Sequence, residues 1–109
     1  MTTATGSKTV QQDESKPTTE DERQRYAAVS HALADAKRLC VLECLSRGEC
    51  SVSDLSREAR CQVPNMSQHL AVLRAAGLVV SRREGNTVLY RLSDPRILEA
   101  YQLIKTVAD

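Results

Sequence analysis

Val63-Pro64-Asn65-Met66-Ser67-Gln68-His69-Leu70-Ala71-Val72-Leu73-Arg74-Ala75-Ala76-Gly77 is the stretch whose pattern decides the fold. Pro64 sits where only the first turn of a helix tolerates it, and Met66, Leu70 and Leu73 recur on one side at helical spacing. Gly77 is a stop signal, so the pattern predicts a helix over 63–76. Upstream, Ser51 is placed to cap a short helix over 52–60, with Asp54 in its dipole-favoured first turn. Cys61-Gln62 separates the two, giving a helix, a short turn and a helix. Beyond Gly77 the period drops to two. Residues 78–83 and 87–92 read as strands joined by Glu84-Gly85-Asn86, with Val88, Tyr90 and Leu92 facing one way and Thr87, Leu89 and Arg91 the other.

Working outward, Tyr26, Val29, Ala32 and Leu33 share one face of a helix beginning at Glu20. A second helix over 35–45 carries Leu39, Leu42 and Leu45 as its core stripe and stops at Arg47-Gly48. Asp94-Pro95 opens a last helix to about residue 107, with Ile97, Leu98, Tyr101 and Ile104 apolar. Residues 1–19 are rich in Thr, Ser, Gln and Lys and cannot bury enough surface to offset their ordering entropy, which predicts a disordered tail before one domain over 20–109. A chain of 109 residues with neither Trp nor Phe has a thin core, a reason to expect a dimer that shares it. No apolar run approaches the roughly 20 residues of a membrane span, and the first residues lack a secretory signal. The expected location is the cytoplasm, with no membrane partner. In that reducing compartment Cys40, Cys44, Cys50 and Cys61 are not expected to form structural disulfides. No C-x-x-C pair occurs, and no His or acid stands where it would activate a nucleophile, so the chain does not read as an enzyme.

The net charge of +1 hides an asymmetry. Residues 1–22 sum to −3, whereas 59–93 hold Arg60, Arg74, Arg82, Arg83 and Arg91 against Glu84 alone, a sum of +4. Five arginines there point to a polyanion. The helix over 63–76 would enter a DNA major groove with its N-terminal end leading. Asn65, Ser67, Gln68 and His69 are the groups suited to base edges, since Asn and Gln pair two-fold with adenine. Arg82, Arg83 and Arg91 on the hairpin, with Arg74 and Thr87, complete the candidate DNA-contacting set. The competing readings are a merely solvated polar face, or a winged helix that binds protein and not DNA. A polar helix start, a helix-turn-helix spacing and a basic hairpin, in that order, favour double-stranded DNA.

Three segments carry a family resemblance. Ala34-Asp35-Ala36-Lys37-Arg38-Leu39 resembles the "L-x-D-P-x-R-L-x-I-L" opening of the ArsR/SmtB family. The run from Ser67 to Val79 resembles its recognition helix, "S-x-H-L-x-x-L-R-x-A-G-L-V", and that from Arg83 to Leu92 its wing, "R-x-G-x-x-x-x-Y-x-L". The resemblance covers about residues 26–107. It implies a mainly α winged helix-turn-helix fold in the order α1-α2-α3-α4-β-β-α5, dimerised through the first and last helices. It further implies a repressor, needing no cofactor, that leaves its operator when a metal ion, metalloid or oxidant arrives. One short recognition helix reads only a few base pairs, so an inverted repeat is expected.

The family's familiar inducer sites do not carry over. Where its arsenic and cadmium sensors have "C-V-C-D-L", this chain has Ser51-Val52-Ser53-Asp54-Leu55. Its zinc sensors place Asp and His on the last helix, where this chain has Asp94 and Arg96 and no His; its dithiol sensors need a last-helix Cys, and none is present. Cys40 and Cys44 lie one helical turn apart, nearly opposite Leu39, Leu42 and Leu45, between Lys37 and Arg47. Neighbouring cations would increase their thiolate character, and with Cys50 as a third ligand they would grip a soft ion such as As(III). Alternatively that face packs on another helix and the thiols are ordinary core. Cys50 and Cys61, where the family has Leu, read as core, and His31 as a surface or interface residue.

Overall fold

The computed structural model describes residues 16–109; of the expected tail, residues 1–15 lie outside them, and 16–18 run exposed into the first helix. The order is α1 (Glu20–Ala32), α2 (Ala36–Leu45), β1 (Cys50–Ser51), α3 (Val52–Ala59), α4 (Val63–Ala75), β2 (Val79–Glu84), β3 (Thr87–Leu92) and α5 (Arg96–Ala108). Each boundary has a local cause. Thr19 and Glu22 form a capping box at the head of α1, the Thr19 hydroxyl accepting from the Glu22 N–H at 3.1 Å. The Asp35 carboxylate accepts from the Lys37 and Arg38 N–H groups at the head of α2, and the Ser51 hydroxyl from the Asp54 N–H at the head of α3. At the end of α4, Gly77 N–H donates to the Arg74 carbonyl and Leu78 N–H to the Leu73 carbonyl, both at 2.9 Å. That Schellman turn requires the φ of +79° that Gly77 adopts without steric cost.

Two adjacent cations at the start of α2 hold the neighbouring helices. Arg38, only 8% exposed, donates from Nε to the Ala32 carbonyl at 2.8 Å and from Nη2 to the His31 carbonyl at 3.1 Å. It thereby satisfies the Ala32 carbonyl, which the end of α1 would otherwise leave unpaired, and adds a second donor to the His31 carbonyl, which already accepts from the Ala34 N–H. Lys37 donates through Nζ to the Ala59 and Arg60 carbonyls, where α3 ends with Arg60 left-handed at φ 56°.

The core is built from Val41, Leu42, Leu55, Met66, Leu70, Leu73 and Val79, all fully buried. α2 packs on α3, α4, α5 and β3. This packing corrects the stripe expected for it: Val41, Leu42, Cys44 and Leu45 are buried, whereas Leu39 is half-buried. Val41, Leu42, Cys44 and Leu45 fall within one broad arc of the helix, rotated from the expected stripe away from Leu39 and toward Cys44. The helix ends at Leu45 as expected, with Ser46 and not Gly48 as its C-cap.

Strand order is β1-β3-β2, all antiparallel. β1 was not anticipated, because two residues show no period; Cys50 pairs with Tyr90 and Ser51 with Leu89. Glu84, expected in the loop, pairs with Thr87 instead, leaving the two-residue turn Gly85-Asn86. α1 buries Ala32 alone, and no residue of α5 is buried. Tyr26, Leu103, Ile104 and Val107 remain exposed on these two helices. No described helix is long and apolar enough to cross a membrane.

Candidate nucleic-acid interface

Burial of Met66, Leu70 and Leu73 turns the polar edge of α4 outward, so Asn65, Ser67, Gln68 and Arg74 are exposed. The first turn of α4 has no acidic residue and no side-chain cap, leaving its N–H groups and positive dipole end open to an anion. Between α4 and the wing runs an open groove of about 490 Å³ lined by Ser67, Leu70, Ala71, Arg74, Ala75 and Tyr90. The strand register divides the wing's cations. Arg83 pairs with Val88 on the face that carries Tyr90, toward α4, while Arg82, Thr87 and Arg91 occupy the opposite face. Arg83, Thr87 and Arg91 are exposed, and among the described residues neither Arg83 nor Arg91 has a salt-bridge partner.

Two residues assigned to DNA contact are engaged elsewhere. His69 is half-buried; its Nδ1 lies 3.3 Å from Arg38 Nη1 and 3.8 Å from Asp35 Oδ1. It joins α4 to the head of α2 through its Nδ1 edge, behind the exposed polar edge of α4. Arg82 is held in a two-pronged pair, Nε to Glu49 Oε2 at 2.9 Å and Nη2 to Glu49 Oε1 at 2.8 Å, with Glu84 at 3.6 Å. Hydrogen bonding from Arg82 holds the Glu49 carboxyl below its ordinary range, and the same contact raises the guanidinium. Glu49 was missed because it lies 33 positions from Arg82 in the chain, and only the β1-β3-β2 arrangement brings it to the wing.

The expected thiol constellation also changes. Cys44 is 4% exposed in the core, and burial, with the Cys40 thiol beside it, pushes its pKa up to about 11 against the weaker opposing pull of Arg47. This reverses the cation-lowered pKa expected for it, because desolvation by burial outweighs the pull of Arg47. Burial likewise pushes the Cys50 thiol up. Cys44 and Cys50 both line a cavity of about 270 Å³ between the end of α2 and α3, together with Arg47, Asp54 and Glu58. Cys40, beside Cys44, also lies near Tyr101 of α5. Among the described residues no three His, Cys, Asp or Glu side chains form a metal-holding group, so Cys40, Cys44 and Cys50 do not make the expected three-thiol cage. Cys61 is half-buried against the core.

The raised Cys44 pKa has a measurable consequence. The folded state favours the neutral thiol, so Cys44 contributes stability that is full below the ordinary pKa of 9.0 and lost as pH rises toward about 11. Urea denaturation across that window is expected to show a steeper alkaline loss for the wild type than for Cys44→Ala. Parallel pH profiles would refute the assignment.

A helix-turn-helix formed by α3 and α4, an open polar edge on α4 and an adjoining antiparallel wing define a winged helix-turn-helix domain. The model of the bacterial regulatory protein arsR family matches residues 35–81. The HTH-type transcriptional regulator KmtR of Mycobacterium tuberculosis is 41% identical over 81 residues, covering 74% of this chain and 62% of the relative, so the match spans less than two thirds of that protein. The biofilm growth-associated repressor of Agrobacterium fabrum is 36% identical over 91 residues, 81% of this chain and 78% of the relative. The solution structure of a homodimeric winged helix-turn-helix DNA-binding domain from Mycobacterium bovis superimposes with a TM-score of 0.74 at 29% identity, covering 84% of this chain and 88% of that one. The chain belongs to the arsR family, a family of transcriptional regulators and not of enzymes.

Proposed function

We propose that this chain is a homodimeric repressor that binds an inverted-repeat operator in double-stranded DNA. The observation that carries the reading is the exposed edge of Asn65, Ser67 and Gln68 on α4 beside a wing whose Arg83 faces the same side. Dimerisation is supported by the apolar side chains uncovered on α1 and α5 and by the homodimeric Mycobacterium bovis domain. Paired recognition helices then meet half-sites spaced by about one helical turn or a small multiple of it. A salt titration of DNA binding by fluorescence anisotropy tests this against a winged helix that serves protein contacts alone. Affinity should fall steeply with salt. Arg83→Ala should flatten the log–log slope by about 0.9 per subunit, whereas Arg82→Ala, already neutralised by Glu49, should leave it unchanged. A salt-independent or undetectable interaction would remove the DNA reading.

The inducer we propose is a soft metal or metalloid acting through Cys44 with Cys40 or Cys50 as its partner. A thiol with a pKa near 11 is almost wholly protonated at neutral pH and reacts slowly with oxidants, whereas a thiophilic ion displaces the proton as it binds. Cys44 lies where α2 meets α3, so ligation there strains the seat of the helix-turn-helix; a preference of a few kcal/mol for the DNA-incompetent arrangement empties an operator. With arsenite as the probe, Cys40→Ala/Cys44→Ala is expected to bind DNA as the wild type does and to ignore arsenite that releases the wild type. Equal release of both proteins would exclude these thiols.

A further inference from the structure

Among the described residues the large exposed apolar side chains are Tyr26, Leu103, Ile104 and Val107, which lie on α1 and α5, and Val63. The proposed dimer accounts for the first four. Val63 is the first residue of α4, is 47% exposed, and is not among the side chains packed on the core. A lone exposed Val is ordinary, but the position of this one is not. Helical spacing puts Val63 in line with Ser67 and Arg74, which wall the groove between α4 and the wing. Exposed Asn65 and Gln68 follow it on the same leading end. The major-groove edges of the four bases offer hydrogen-bonding groups and a single apolar one, the 5-methyl group of thymine.

We propose that Val63 is a specificity-determining residue whose methyl groups pack on the 5-methyl group of a thymine in each operator half-site. The inference rests on the reading of α4 as the DNA-reading helix. It assigns the large exposed apolar side chain at the leading end of α4 to the one apolar feature of the surface that end would meet. The contact is worth about fourfold in affinity per half-site, the burial of one methyl group, and about sixteenfold for a symmetric pair.

The test begins by selecting duplexes from a random library with the full-length wild-type dimer. Each symmetric pair of thymines in the selected duplex is then replaced by deoxyuridine, which lacks only the methyl group. At one such pair the wild type should lose about sixteenfold in affinity, while Val63→Ala, whose folding is checked by its thermal melt, should be indifferent. Val63→Thr, which keeps one methyl group, should retain part of the response. If no uracil pair separates the wild type from Val63→Ala, or if the selected site contains no thymine, this assignment falls while the role of α4 stands. If the wild type enriches no sequence at all, both fall.

Discussion

Replacing Arg38 by alanine is expected to lower folding stability by about 1–3 kcal/mol, the cost of leaving a buried acceptor without its partner. Arg38 is 8% exposed and bonds to the Ala32 and His31 carbonyls, to His69, and more distantly to Asp35 at 3.8 Å. Its loss leaves the buried Ala32 carbonyl at the end of α1 unpaired and His69 without its neighbour. Lysine at this position restores the charge but not the planar fork, so Arg38→Lys should recover only part of the loss. Urea denaturation at one fixed protomer concentration measures the difference, since the stability of a dimer depends on concentration. A loss below about 1 kcal/mol would show that the network contributes little beyond what water supplies.

Replacing Gln68 by alanine is expected to cost about 1–3 kcal/mol per half-site on the operator and almost nothing on random DNA. Gln68 is exposed near the leading end of α4, and its amide is suited to pair two-fold with an adenine edge. Arg83→Ala should behave in the opposite way, weakening operator and random duplex alike, because phosphate contacts carry no sequence information. Competition binding with the selected operator against mixed-sequence duplex reads both variants on one scale. Equal losses for Gln68→Ala on the two duplexes would mean that the side chain is solvated and not reading a base.

Much of the fold is legible along the chain because its causes are local. The spacing of Met66, Leu70 and Leu73, the caps at Asp35 and Ser51, and Gly77 at the end of α4 each act within a few residues. The alternation over 87–92 likewise places Val88, Tyr90 and Leu92 together, as the strand register has them. β1 escaped because its two residues become a strand only through pairing with Tyr90 and Leu89. For α2 the sequence left two readings of the Cys40 and Cys44 face open, and burial of Cys44 in the core decides for packing there, which a helical projection of one segment cannot register.

Apart from β1, the order of elements, the helix-turn-helix and the basic character of residues 59–93 were determined by the sequence alone, since periodicity, capping and charge are properties of neighbouring residues. Which polar groups remain free was decided only by the tertiary structure. His69 and Arg82 carry the same donors as other residues of the interface, yet His69 meets Arg38 across 31 positions of chain and Arg82 meets Glu49 across 33. The same holds for Cys44, whose thiol sits beside Arg47 in sequence but is governed by burial. Pairing and desolvation depend on what the fold brings within a few ångströms, and that distance is not encoded in any local spacing.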